Sequence, residues 1–182
     1  MKIKSILALS LVLVLSVSFM AGCSTPSKKA ASGQLEAVYE NVMQKVFGED
    51  DPRLIRNEDA AQIEEFYGLK ADMMEAFIVA NPMMNVHVDT FIGIEAVEGK
   101  SQEVAKLLNV YKDKIIADRE AFPYLPDHLP KAKAAQVITV DNYVFYLSLG
   151  VVGENVNDTN MQESMDKEVQ KAVDAVNEIL KK

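Results

Sequence analysis

A single cysteine, Cys23, fixes how this chain of 182 residues can be held together. Whatever packs beyond it does so without a disulfide, so burial of apolar surface carries the stability. The cysteine closes an apolar run from Ile6 to Ala21, interrupted only by Ser10, Ser16 and Ser18, with Lys2 and Lys4 ahead of it. A helix that spans a bilayer needs about 20 apolar residues. This run is shorter and exits through Gly-Cys into polar sequence, the pattern of a secretory signal over residues 1–22.

The four residues Met20-Ala21-Gly22-Cys23 resemble the lipobox of bacterial lipoproteins. That resemblance implies export, diacylglyceryl attachment to the Cys23 sulfur, cleavage after Gly22 and acylation of the new amino terminus. The expected partner of Cys23 is therefore membrane lipid, on the extracytoplasmic face of the cell membrane. Two acyl chains hold firmly, since each buried methylene contributes about 0.8 kcal/mol. A lipidated Cys23 leaves the mature chain without a thiol and so without thiolate chemistry.

Cleavage would leave 160 residues, enough for one domain with a real core. Loss of Lys2 and Lys4 takes the formal charge from −8 to −10. An acidic chain with no basic stripe is unsuited to phosphate backbones, which sets nucleic acid aside. Residues 23–33, the cysteine and STPSKKAASG, read as a flexible leash; ten such residues span roughly 17 to 19 Å as a coil. Lys28 and Lys29 either graze anionic headgroups or only keep the leash soluble.

The domain is expected over residues 34–182. Leu35, Val38, Val42 and Val46 recur at helical spacing, with Ser32 as cap and Gly48 as stop. Glu49-Asp50-Asp51-Pro52 lacks the alternate-oxygen spacing of a calcium loop and reads as a solvated turn. A shorter helix is predicted from Glu58 to Tyr67, capped by Asn57, with Ala60, Ile63, Phe66 and Tyr67 inward. Glu64 and Glu65 diverge on it by about 100 degrees, so they form a wet face rather than a catalytic pair.

The period then turns to two. Glu75–Ala80 is a buried strand and Asn81-Pro82 a turn. In the next strand Val86, Val88, Thr90, Ile92 and Ile94 are predicted to face the core, and His87, Asp89, Phe91, Gly93 and Glu95 to face water. His87, Asp89 and Glu95 are a candidate zinc set in principle. An unroofed strand with His128 far along the chain favours a solvated face instead. Met73-Met74 and Met83-Met84 are predicted at opposite ends of the hairpin, about 26 Å apart, too far for one copper site.

A long helix is expected from a Ser101 cap to about Phe122. After it, Phe122 to Pro130 carries three prolines and reads as a rigid, extended loop. Its Tyr124, Asp127 and His128 form the candidate surface for a ligand or partner. Ala135–Val140, a turn at Asp141-Asn142 and Tyr143–Leu149 make a second hairpin. A closing helix over about 158–181 packs on the first helix or on a partner. The fold class is thus α+β, a four-stranded antiparallel sheet arranged ββαββ with further helices at each end.

Tyr67-Gly68, a strand pair, the long helix, Phe122 before Tyr124-x-Pro126 and a terminal hairpin, following the lipobox, resemble the bacterial lipoprotein family of domain of unknown function 4358. The resemblance covers about residues 60–150 and brings no catalytic residue with it. The leading expectation is a non-catalytic module binding a small ligand or an unknown protein partner, with no cofactor and no metal. The alternatives are an extracytoplasmic enzyme and a carbohydrate or cell-wall binder. The first lacks GxSxG, HExxH and a thiol; the second lacks tryptophan. An enzyme predicts a deep pocket with convergent polar groups near Tyr124, His128 and His87, whereas a binding module predicts an apolar groove near the proline loop or terminal helices.

Overall fold

The structure, a computed structural model, describes residues 32–48, 54–57, 59–84 and 87–181. The signal, Cys23, most of the leash, the acidic turn and Val86 lie outside the described residues. The elements are α1 (Gly33–Phe47), β1 (Leu54–Asn57), α2 (Ala60–Tyr67), β2 (Met74–Pro82), β3 (Thr90–Ala96), α3 (Ser101–Ala121), α4 (His128–Ala134), β4 (Gln136–Val140), β5 (Tyr143–Ser148) and α5 (Met161–Leu180). Among the described residues no helix is long and apolar enough to cross a membrane.

The fold is α+β with an antiparallel sheet, and that sheet has five strands in the order β1-β2-β3-β5-β4, not four. The added strand is β1, four residues paired with the end of β2 so that Leu54 faces Pro82. It is too short, and too exposed at Ile55 and Arg56, to show alternation. Two helices rather than one separate the hairpins, because α4 forms inside the segment expected to be an extended loop. Pro130 falls in the first turn of α4, where its missing N–H costs no helical hydrogen bond.

Local signals set the helix ends. Ser32 Oγ accepts from the Leu35 N–H at 3.3 Å, and Gly48 ends α1 at φ 66°. Asp59, not Asn57, caps α2 by accepting from the Ala61 N–H at 2.9 Å; Asn57 Oδ1 accepts from the Asp59 N–H just before it, also at 2.9 Å. Ser101 is the first helical residue of α3 rather than its cap. Asp141 turns the second hairpin in the left-handed region at φ 53°, a conformation that short polar side chains tolerate.

The largest departure from expectation is that the sheet is buried on both faces. Leu35, Val38 and Val42 of α1 and Met165, Val169 and Val176 of α5 cover the face of Ala76, Ile78, Phe91, Phe145 and Leu147. Ile63 and Tyr67 of α2 and Val104 and Leu108 of α3 cover the opposite face, with Phe77, Val79, Ile92, Ile94, Val144 and Tyr146. Phe91 and Gly93 are therefore interior, not wet. Phe91 meets Tyr39 of α1 edge-on at 5.1 Å between ring centroids, and Phe145 at 6.1 Å. The closing helix packs on the first: Asn41 Nδ2 donates to the Ala175 carbonyl at 2.9 Å, beside a Lys45–Glu178 ion pair at 3.1 Å.

Candidate functional site

One end of the sheet, beneath α3, forms a half-open cavity of about 280 Å³. The parity of the strands brings Thr90 of β3 and Tyr146 of β5 to the α3 side, since Ile92 pairs with Tyr146 and lies two residues from Thr90. From above, α3 contributes Tyr111, Lys114, Ile115 and Arg119, spaced as one helical stripe. The last turn of α2 adds Phe66 and Tyr67, β2 ends there in Asn81-Pro82, and the β2–β3 connection adds His87 and Val88.

Three phenols make up the polar wall. Tyr67 and Tyr111 meet edge-on with centroids 4.7 Å apart, and Tyr111 and Tyr146 at 5.3 Å. Asn81 Nδ2 donates to the Tyr67 hydroxyl at 2.8 Å, which locks Tyr67 to the end of β2. Burial raises the pKa of all three; the bond from Asn81 only partly offsets this at Tyr67. These phenols therefore stay protonated at neutral pH, present hydroxyls rather than charges and retain their donor capacity.

The two histidines, far apart in sequence, come together where His87 of the cavity wall meets the start of α4. Their rings lie 5.5 Å apart at 66°. His128 opens α4 and is only 1% exposed, and among the described residues neither of its ring nitrogens has a hydrogen-bond partner. Burial lowers its pKa; His87, Lys131 and Arg119 add to that, while Asp127 opposes it. The ring is accordingly neutral at neutral pH.

Behind it stands an interior ion pair. Lys131 Nζ donates to both Asp89 oxygens at 3.0 and 2.9 Å, and Asp127 lies 3.7 Å from the same ammonium. Lys131 and Asp89 side chains are only 5% and 17% exposed. The pair clamps the β2–β3 connection onto α4.

The residues singled out from sequence divide between two places. Tyr124 is exposed, with the Arg119 guanidinium 5.1 Å from its ring centroid. Asp127 is half-buried, and His128 is interior rather than part of a surface loop. Beside the cavity, Tyr124, Leu125, Leu129 and Met161 line a shallower groove of about 490 Å³ at the proline loop. Of the candidate zinc set, Asp89 is engaged by Lys131 and Glu95 sits at the far end of β3, opposite Tyr143. Among the described residues no three His, Cys, Asp or Glu side chains are grouped to hold a metal. Met73 and Met74 are core, whereas Met83 and Met84 are exposed beyond Pro82.

Residues 50–149 match the family described as domain of unknown function DUF4358. The chain belongs to that family. The matched stretch contains every residue that lines the cavity, from Phe66 to Tyr146, and leaves out α1 and α5. No curated protein and no solved structure matches the chain. The DUF4358 region thus supplies the sheet, the helices of one face and the tyrosine wall, while the second face is covered by helices from outside the match.

Proposed function

We propose that this DUF4358 protein is a lipoprotein held by Cys23 on the extracytoplasmic face of a membrane, and that its domain is a non-catalytic module binding a small molecule in the tyrosine-lined cavity. The cavity carries the reading. Small-molecule sites are concave and mostly apolar, with a few fixed polar groups that orient the ligand. Phe66, Pro82, Val88 and Ile115 supply apolar wall, and Tyr67, Tyr111, Tyr146, Asn81 and Thr90 supply the fixed polar groups. The anchor is tested by fatty-acid labelling: Cys23→Ala abolishes incorporation and releases or misprocesses the protein, and undiminished labelling refutes the assignment. The module is tested by replacing Tyr111 and Tyr146 with tryptophan to fill the cavity. A ligand captured by crosslinking of the native chain in its membrane is then no longer captured.

A second reading has one specific observation in its favour. His87 places an ionisable ring on the cavity wall among three hydroxyls, the convergence of polar groups that an extracytoplasmic enzyme requires. It predicts turnover that His87→Gln removes while binding persists. Binding without turnover supports the first reading.

A further inference from the structure

We propose that the cavity takes a small organic carboxylate with a flat apolar body, its charged end held by Lys114 and Arg119 and its body seated against Tyr67, Tyr111 and Tyr146. This rests on the reading of the cavity as a small-molecule site and adds the chemistry of the occupant. The chain has 27 acidic residues against 19 basic ones, yet among the described residues lining the cavity there are Lys114, Arg119 and His87 and no Asp or Glu. The phenols add no negative charge, because burial keeps them protonated. A cleft of one sign with low-dielectric walls concentrates the opposite charge. The site therefore favours anions in a protein whose overall charge repels them.

Position along α3 sets the shape. Lys114 lies about 4.5 Å and Arg119 about 12 Å along the helix axis from Tyr111. A ligand with its ring against Tyr111 and Tyr146 thus meets Lys114 within about one helical turn, the reach of a short carboxylate arm, and Arg119 stands at the far end of the cavity. Arg119 carries the planar cation there, beside Tyr124, whose ring centroid lies 5.1 Å from the guanidinium. The volume, about 280 Å³, equals roughly nine waters, so one ring and a short arm fill it.

The test uses matched pairs on the full chain in lipid nanodiscs, followed by calorimetry: phenylacetate against phenylacetamide, and benzoate against benzamide. The acids are expected to bind about tenfold tighter than the amides or more, as charge-assisted hydrogen bonds confer. In Lys114→Gln/Arg119→Gln the preference falls below about threefold, because the acids lose more affinity than the amides. Raising the salt weakens the acids and spares the amides. Circular dichroism confirms that the double variant is folded. Equal binding of acid and amide overturns the charge assignment and leaves the cavity reading standing. A preference that survives in the double variant overturns the roles of Lys114 and Arg119. Binding of neither partner at about 10 mM overturns the assignment of an aromatic carboxylate, and the crosslinking capture then decides the cavity reading.

Discussion

Asp89→Asn removes the charge that faces an almost fully buried ammonium, and the outcome follows from how unequally the two partners are shielded. Lys131 is 5% exposed at its side chain and Asp89 is 17% exposed. Breaking a buried pair by deleting one partner costs about 3 to 5 kcal/mol, because the survivor is left charged and poorly solvated. Here the survivor, Lys131, keeps Asp127 at 3.7 Å, which brings the expectation down to about 2 to 3 kcal/mol. The reciprocal change, Lys131→Met, preserves the packing of the stem and strands Asp89, which water can reach more easily; about 1 to 2 kcal/mol is expected. Removing both charges costs less than the sum, with a coupling of about 1.5 kcal/mol or more. Urea denaturation of the full chain and its three variants reads these values, provided the slopes agree. Hydrogen exchange adds a local readout, because the His87 N–H donates to the Met84 carbonyl at 3.1 Å within the connection that the ion pair clamps. That proton should exchange faster in Asp89→Asn. A variant within about 0.5 kcal/mol of the parent, or simple additivity of the two single changes, would refute the claim that the clamp is an energetic unit.

Three further outcomes are expected. The His128 pKa lies below its usual 6.5 in the fold, so the unfolded chain binds the proton more readily; this stability is complete above that value and is lost as pH falls through the folded pKa. Chemical denaturation from pH 7.5 downward should show the decline, and His128→Leu should flatten its onset. The pKa values of Tyr67, Tyr111 and Tyr146 lie above their usual 10.0, so the stability they contribute is complete below that pH and is lost as pH rises through the folded values. Absorbance near 295 nm should accordingly show these phenols ionising only with alkaline unfolding, detected in parallel by circular dichroism. Gly150→Ala places a methyl carbon 2.7 Å from Glu168 Cβ on α5 and should cost about 1 to 3 kcal/mol, whereas Gly33→Ala meets nothing within 4 Å and should be neutral or slightly stabilising in thermal melts.

What was legible in the sequence is what depends on neighbours along the chain. The stripe of Leu35, Val38, Val42 and Val46, its Ser32 cap and the αL Gly68 are local devices, and each lies where spacing put it. The stretch from Phe122 to Pro130 departs from the extended loop that three stiff prolines predict. A proline in a first turn is compatible with a helix, and α4 begins inside that stretch. The wet face assigned to β3 failed for a non-local reason. His87, Asp89, Phe91, Gly93 and Glu95 share one parity, but α1 and α5 cover that face of β3 at Phe91, while His87 and Asp89 precede the strand. The interior residues are Phe91 and Gly93, and the polar ones fall toward the ends.

The candidate site was legible only in fragments, because a cavity is defined by what fails to fill it. His87 was identifiable as an unusual residue, but sequence proximity paired it with Asp89 and Glu95, whereas the fold pairs it with His128, 41 positions away, and gives Asp89 to Lys131. Tyr111 and Tyr146 sit at positions that any core could use, and nothing in their spacing distinguishes a packed phenol from one bordering open space. The deciding detail is the rotation of α2. The apolar pattern predicts both Phe66 and Tyr67 inward, yet adjacent helical residues diverge too far to share a face. The helix turns Tyr67 in, where its hydroxyl finds Asn81, and leaves Phe66 57% exposed on the rim. With Tyr67 inward, its ring meets Tyr111 edge-on at 4.7 Å and its hydroxyl accepts from Asn81, which fixes this side of the cavity wall. Asn81→Leu, which removes that bond, should therefore alter ligand binding more than its distance from the cationic end suggests.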